Sequence, residues 1–536
     1  MPGSSSAALR WSLLAAFVAL GLWLRLRGIG ALPLHGDEYH TLAAADGTLG
    51  ALLTTFDPVG SHVALPLAQK LALDLFGPGV VSFRLVALVP GILVLVLAYP
   101  LLRRWVGSDA AVLATALLAV NPMAIYYTRF ARGYALGLLL ALVLGWAVAR
   151  VLAREGKSAL AFTSLVLAAA LLPWVHLSTL GFVLALGLVA SALAWRRSRA
   201  EGLRMFGAFA AAGALAFVLF LPVLRQVLAY FGGLTSEDPP LDWLGVPTLI
   251  AGAAVPAWVW MLLLPLGAAF AWREQRERVL LTAASALGPL ALLLAKNPPG
   301  MDYAWARYLL SPLPFLAALV AAGFVGLGRF VPRGGASLVL VLGAGLCATQ
   351  FWLGPFGPRA PRDGSFANTY LALHPLAAFD EPWPAASPFY AELAADPAVR
   401  IAEVPHIVDR SVFLYRNHAL RHGKQVCIGW AGELPRGIDG WPYSRVMELT
   451  REQADYVIVH KDPPREVATY FTWVFAELWP RTRVARDETF MKRQENVHLD
   501  GLVPAATMAG IAARLTEKLG PPVHEDEWVL VWRPRP

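Results

Sequence analysis

Over the first 354 residues apolar positions do not alternate with polar ones; they run together in long blocks. Eleven blocks fall at about 11–28, 79–102, 109–126, 134–153, 158–173, 175–195, 205–225, 248–271, 279–295, 308–328 and 335–354. A helix needs about 20 mostly apolar residues to cross a bilayer, so each block predicts a transmembrane helix. Only Pro173-Trp174 separates the fifth block from the sixth, which predicts a tight turn there. The segment between the first two blocks, residues 29–78, breaks the pattern. Within it Thr48–Thr55 and Leu65–Phe76 keep helical apolar spacing and predict two helices along the membrane surface.

Beyond residue 354 the pattern changes. Residues 355–384 are rich in Pro and Gly, as in a linker. Short apolar runs then predict strands at Val399–Val404, Gln425–Trp430, Ala454–His460 and Trp528–Trp532. Ser411–His422 and Glu466–Trp479 read as helices, and Lys461–Pro464 and His524–Glu527 as surface turns. The chain therefore reads as a polytopic α-helical membrane protein of about eleven transmembrane helices over residues 1–354, with a soluble α/β domain over residues 355–536.

Charge sharpens this picture. Only 15% of the 536 residues are charged, against about a quarter in soluble proteins. The first 354 residues hold 24 basic and 14 acidic residues, the remainder 21 and 23. The net charge of +8 thus belongs to the membrane part and is no sign of nucleic-acid binding. With the N-terminus cytoplasmic, the inner connections collect the dense basic groups Arg10, Arg103-Arg104, Arg150, Arg196-Arg197, Arg273–Arg278 and Arg329. The positive-inside rule favours that orientation, and an odd number of spans then puts the C-terminal domain outside the cytoplasm. The small-residue cleavage pattern after Trp11–Leu24 is poor and ten more apolar runs follow, so this run is read as an uncleaved first span. Cys347 lies in an apolar run and Cys427 in a predicted strand, a poor pair for a disulfide.

Scarcity of charge makes the remaining polar groups conspicuous. The densest cluster is His35-Gly36-Asp37-Glu38-Tyr39-His40, just past the first span. Adjacent carboxylates at a membrane surface are costly unless paired, hydrated or used. One carboxylate of such a pair can act as a general base while its neighbour binds or orients the acceptor; equally, the acids can cap the next helix. Tyr126-Tyr127-Thr128-Arg129-Phe130-Ala131-Arg132-Gly133-Tyr134 offers two arginines able to clamp a phosphate. The competing reading is ordinary snorkelling of interfacial arginines. Arg307-Tyr308 opens a later span, and His62 and Lys70 add basic groups to the first outer loop. His35, Asp37, Glu38, His40 and His62 have the donor atoms for a divalent metal, although no spacing rule selects such a site. Nucleotide-binding and zinc-protease patterns are absent from the loops.

These residues, taken in order, resemble the GT-C glycosyltransferases, in the broad group of family 39 protein mannosyltransferases and aminoarabinose transferases. Arg27 followed by Asp37-Glu38 is similar to the acidic pair of that group's first outer loop. His62-Val63-Ala64-Leu65 through Lys70 and Phe76-Gly77 resembles its His-Pro-Pro-Leu segment, with Val63-Ala64 in place of Pro-Pro. Arg84, Asn121-Pro122 through Arg132, and Arg307-Tyr308-Leu309-Leu310 with Pro312 and Pro314 complete the resemblance. It implies a multi-pass protein of the bacterial inner membrane. It also implies inverting transfer of a sugar from a polyprenyl-phosphate donor to a glycan, lipid or protein acceptor at the extracytoplasmic face. Asp37 would be the base and Glu38 its partner. Arg129, Arg132, His62, Lys70, Arg307 and Tyr308 would hold the donor phosphate. The rival classes are a flippase for lipid-linked sugars, for which repeated halves are expected, and a glycan polymerase or ligase.

Overall fold

In a computed structural model the described residues are 7–30, 34, 38–45, 48–56, 63–77, 79–153, 159–233, 245–296, 306–331, 335–356, 387–397, 400–404, 425–426, 454–466, 469 and 505–534. The helices in chain order are α1 (Ala7–Leu26), α2 (Glu38–Ala45), α3 (Leu49–Thr54), α4 (Ala64–Phe76), α5 (Val80–Val106), α6 (Ser108–Val120), α7 (Pro122–Arg129), α8 (Tyr134–Leu152) and α9 (Ala159–Val175). There follow α10 (Leu180–Arg197), α11 (Arg199–Phe220), α12 (Leu224–Gly233), α13 (Gly245–Ala251), α14 (Ala254–Lys296), α15 (Leu313–Leu327), α16 (Gly335–Leu353), α17 (Phe389–Ala395) and α18 (Ala505–Leu519). Two compact units form, one from residues 1–27, 48–68 and 84–376, the other from 28–47, 69–83 and 377–536.

All eleven apolar blocks lie in helices of the first unit or enter it through α5. Eight described helices are long and apolar enough to cross a membrane, and α6 with α7 passes as a pair bent by 54°. The 17-residue α9 is shorter. Helix α14 is too long for one span: 43 residues rise about 65 Å, twice the hydrocarbon core. It breaks at Gln275 (φ −141°, ψ 36°), in the gap between the eighth and ninth blocks. The eleven runs thus all fall in described helices, of which eight, or nine with the bent pair, are long and apolar enough to cross a membrane.

Contacts sort the helix ends into two groups. At one end Arg10 pairs with Asp109 at 3.7 Å, Arg278 donates to the Trp105 carbonyl at 3.2 Å, Arg197 reaches Glu277 and the Leu152 carbonyl, and Arg329 reaches Glu274. At the other end Asn121 donates to the Ile250 carbonyl at 2.8 Å, and Gly252 sits against Pro122 and Pro355. The dense arginine clusters thus share one end. Between the ends, glycines let helices touch backbone to backbone, the packing that small residues permit in membranes. A Cβ on Gly181 of α10 would lie 2.4 Å from the Gly288 carbonyl of α14, and one on Gly267 would overlap the Leu319 carbonyl of α15. Thr48 caps α3 by accepting from the Ala51 amide at 3.2 Å. Gln226 clasps the other end of α3, accepting from the Phe56 amide at 2.7 Å and donating to the Thr54 carbonyl at 2.8 Å.

In the second unit, β1 (Arg400–Val404), β2 (Gln425–Val426), β3 (Tyr456–His460), β4 (His524–Glu525) and β5 (Val529–Trp532) form one sheet in the order β2-β1-β3-β5-β4. Strand β1 runs parallel to β2 and β3, whereas β5 runs antiparallel to β3 and β4. Each expected strand segment holds a strand, although Val399 and residues 427–430 of the expected ones lie outside the described residues. The expected turn at His524–Glu527 is instead strand β4 followed by a hairpin turn, because Asp526 Oδ1 accepts the Trp528 and Val529 amides at 2.7 and 2.8 Å. The strand period of 2 gives the sheet two faces. Ala402, Val404, Val457, Val459 and Trp532 pack with Met508, Ile511 and Leu515 of α18. The expected helices at Ser411–His422 and Glu466–Trp479 lie largely outside the described residues.

Candidate functional site

The site region of the first unit is built on a broken helix. Asn121 precedes a proline, which disfavours helical geometry for it, and it is extended (φ −66°, ψ 124°). Its Oδ1 caps α7 by accepting from the Ala124 amide at 3.0 Å, with Pro122 in the first helical turn, where a missing N–H costs nothing. The break leaves α6 carbonyls without helical donors. Arg25 of α1 supplies them: Nη1 donates to Ala119 at 3.0 Å and to Gly21 at 2.9 Å, and Nη2 to Leu118 at 3.0 Å. In return Arg129 of α7 caps the end of α1, its Nη1 lying 3.2, 3.0 and 2.7 Å from the carbonyls of Leu24, Arg25 and Arg27. Each arginine thus closes the terminus of the helix, or broken helix, from which the other projects. In an apolar medium such freed carbonyls must be satisfied internally.

From this joint runs a row of rings. Tyr126 and Tyr127 meet at 4.9 Å between centroids, Tyr127 and Tyr134 at 4.4 Å, Tyr134 and His176 at 4.7 Å, and His176 and Tyr308 at 5.5 Å. Arg307 ends the row. Its guanidinium stands 5.1 Å from the Tyr308 ring centre and 6.0 Å from that of Tyr134, and Nη2 donates to the Tyr308 hydroxyl at 3.2 Å. Such cation–π stacking holds a guanidinium in place without neutralising its charge. His176 sits where α9 ends, in an extended conformation (φ −159°, ψ 119°). The Ser178 amide donates to its Nδ1 at 3.3 Å, and Ser178 Oγ lies 2.8 Å from the same atom. A ring nitrogen that accepts an amide carries no proton, so in the neutral ring the proton resides on Nε2, which is a donor. A fixed imidazole donor, a phenol and a guanidinium gathered in one row are the groups that recognise a phosphate oxyanion.

The structure brings together some of the sequence-predicted residues. Arg307 and Tyr308 are neighbours and half-buried, with Tyr134 of the second cluster beside them. Arg129 is fully buried and its Nη1 is committed to carbonyls, a placement different from a surface arginine awaiting a ligand. Arg132 is 4% exposed, at the turn between α7 and α8. In the second unit Glu38 opens α2, fully buried; its carbonyl accepts from Thr41 Oγ1 at 2.9 Å, and Thr41 in turn accepts from Gln69 Nε2 at 3.3 Å. Lys70 on α4 stands 4.0 Å from Asp74. His35, Asp37, His62 and the side chain of His40 lie outside the described residues. Among the described residues no group of three His, Cys, Asp or Glu is placed to hold a metal ion. Sequence reasoning passed over His176 and Arg25. The signal for His176 was a lone histidine at the junction of two apolar blocks; the turn expected at Pro173-Trp174 falls instead at His176–Thr179, since both residues lie inside α9.

Comparison with known proteins follows the same lines. Residues 63–225 match the family described as dolichyl-phosphate-mannose-protein mannosyltransferase. No curated protein sequence gives a significant match. The fold is similar to that of ArnT from Cupriavidus metallidurans in the apo state, with a TM-score of 0.53 at 12% identity, covering 99% of both chains. The same protein bound to undecaprenyl phosphate gives a TM-score of 0.50 at 14% identity, covering 85% of this chain and 93% of that one. This chain, with its membrane-length apolar helices, is thus similar over residues 63–225 to that mannosyltransferase family and similar in fold to ArnT.

Proposed function

We propose that the protein transfers a sugar from a polyprenyl-phosphate carrier to an acceptor hydroxyl or amine at the extracytoplasmic face of a bacterial inner membrane. The observation that carries this reading is the row Tyr134–His176–Tyr308–Arg307, at the end of the first unit opposite the arginine-rich helix ends. That basic end would face the cytoplasm and the phosphate-recognising groups would lie outside; an odd number of spans would put residues 355–536 outside as well. A solved structure of similar fold was obtained with undecaprenyl phosphate bound, which supports a donor of that class.

In the proposed reaction Asp37 takes the proton from the acceptor, whose oxygen or nitrogen attacks the anomeric carbon from the face opposite the phosphate. The bond from that carbon to the phosphate oxygen breaks, and configuration inverts. Charge grows on the departing phosphate, where Arg307, Tyr308 and the Nε2 donor of His176 would stabilise it, with Arg132, Lys70 and His62 as further basic groups. Glu38 would orient the acceptor or Asp37. Arg129 serves the same site indirectly, by holding the joint from which the tyrosine row projects. A phosphate-linked sugar already has a good leaving group, so a base is required and a strong acid is not.

The test is to compare the membrane glycoconjugates of cells with the wild-type protein, without it, and with Asp37→Asn. One glycoconjugate should lose a single sugar in the latter two. Unchanged glycoconjugates across all three would refute the transferase reading.

A further inference from the structure

The face of the second unit's sheet turned away from α18 carries a chain of ionisable groups with no part in the proposed transfer. Period 2 along the strands sends Glu403 of β1 and His460 of β3 to that face, where α17 brings Tyr390 and a helical turn over residues 463–466, begun within the turn expected at Lys461–Pro464, brings Glu466. All four are at most 4% exposed. His460 Nδ1 lies 2.9 Å from both Glu466 oxygens. Its Nε2 faces the Tyr390 hydroxyl at 3.4 Å, and that hydroxyl donates to Glu403 Oε1 at 2.7 Å. Glu403 Oε2 is buried with no hydrogen-bond partner among the described residues.

This geometry has a definite protonation pattern. An imidazolium uses both N–H groups, Nδ1–H toward Glu466 and Nε2–H toward the tyrosine oxygen, while the tyrosine proton points at Glu403. The orphaned Glu403 Oε2 is where a carboxylic proton would rest, since a buried carboxylate oxygen without a donor is costly. Other charged groups face the cluster from its surroundings. Asp526, in the β4–β5 turn, accepts from Ser387 Oγ at 2.5 Å and pairs with His524 at 3.1 Å, and Lys461 turns outward to Glu525 at 2.7 Å. Asp462 lies in the turn before Glu466. Helix α18, across the sheet, contributes Met508, Ile511, Ala512 and Leu515.

We propose that Tyr390, Glu403, His460 and Glu466 form a buried proton-holding latch that fastens α17 to the sheet at mildly acidic pH and loosens it as the pH rises. Tyr390 carries the cluster's contacts from α17 to the strands, to Glu403 and His460, beside the packing of Phe389 on Tyr456 and His524 and the Tyr456–Asp396 hydrogen bond, so their protonation adds to or subtracts from how firmly that helix is held. The direction follows from burial and neighbours. Burial raises the Glu403 carboxyl to about 7, with His460 and Tyr390 opposing. Burial alone would lower His460, but Glu466, Glu403 and Asp526 outweigh it and leave it above its ordinary value. Glu466 is raised by burial against the pull of His460. With all three raised, the folded unit binds more protons than the unfolded chain, and stability declines as pH climbs from ordinary carboxylate values through about 7. Asp526 is shifted the other way, so its contribution fades only in more acidic solution.

Hydrogen–deuterium exchange of residues 389–395 in the full-length protein in detergent, corrected for intrinsic rates, reads the latch directly. The opening equilibrium of α17 should grow between pH 5.5 and pH 8, by up to about tenfold per pH unit for each proton released. Glu403→Gln, which mimics the protonated acid, should reduce that slope. A wild-type opening constant equal within twofold at the two pH values would overturn the proposal, as would an unaltered slope in Glu403→Gln. Should that variant not fold, His460→Asn replaces it under the same criterion, and the wild-type profile stands as a test on its own.

Discussion

Replacing Arg25 by Met isolates the joint on which the site region is built. The guanidinium makes three bonds of 2.9–3.0 Å, but they are not equivalent. Gly21 lies within α1 and has the Arg25 amide as its helical partner. Leu118 would pair with residue 122, a proline without an N–H, and Ala119 precedes the extended Asn121. Two carbonyls therefore depend on Arg25, and bonds from a charged donor contribute about 1.5–3 kcal/mol each. Against this gross loss of roughly 3–6 kcal/mol stands the relief of a buried guanidinium, which itself costs several kcal/mol. The expected net destabilisation is about 2–4 kcal/mol. Arg25→Lys, with one point charge in place of a fork, should recover about half of it. Equilibrium unfolding in mixed detergent measures the difference. Pro122→Ala restores an N–H opposite Leu118 and should partly rescue Arg25→Met, a non-additivity that a double-mutant cycle resolves. Arg25→Met unfolding within about 0.5 kcal/mol of wild type would refute the capping argument.

Other substitutions separate packing from chemistry. Gly288→Val should lower stability by about 1–3 kcal/mol or abolish accumulation, because even a Cβ there lies 2.2 Å from the Gly181 carbonyl; unfolding in detergent checks it. Arg307→Gln should reduce kcat about 10²–10³-fold with thermal stability nearly unchanged, and a large loss of stability instead would mark Arg307 as structural. His176→Asn, which keeps a side-chain donor, should retain more transfer activity than His176→Ala, read as product formed per folded protein; equal activities would remove Nε2 from the account.

Legibility in the sequence followed the range of the forces involved. The spans were readable because insertion into lipid depends on local apolar density; the break near Gln275 coincides with an interruption of that density, whereas the break at Asn121-Pro122 falls inside the single block 109–126 and was not expected. Strands β1, β3 and β5 were readable from short β-branched runs. Helix α18 was missed: its apolar positions Met508, Ile511, Ala512 and Leu515 are interspersed with Ala and Gly, and the sheet, not propensity alone, makes them a core face. Nothing local discloses that Arg129 Nη1 donates to carbonyls about a hundred residues away in α1. The pairing of His176 with Tyr134 and Tyr308 is likewise tertiary and has no sequence period. What the sequence did expose was the rarity of charge, which singled out Arg307-Tyr308 before their contacts were known.

The central claim, that a lipid-linked sugar is cleaved from its phosphate by this chain, is tested most directly by release of free polyprenyl phosphate. Purified protein in vesicles would be given a labelled polyprenyl-phosphate sugar and an acceptor-containing envelope extract. The account predicts that wild type releases the free lipid phosphate, and that Asp37→Asn binds the donor but releases none. Passage of intact donor across the bilayer without release, or near-normal release by Asp37→Asn, would contradict it.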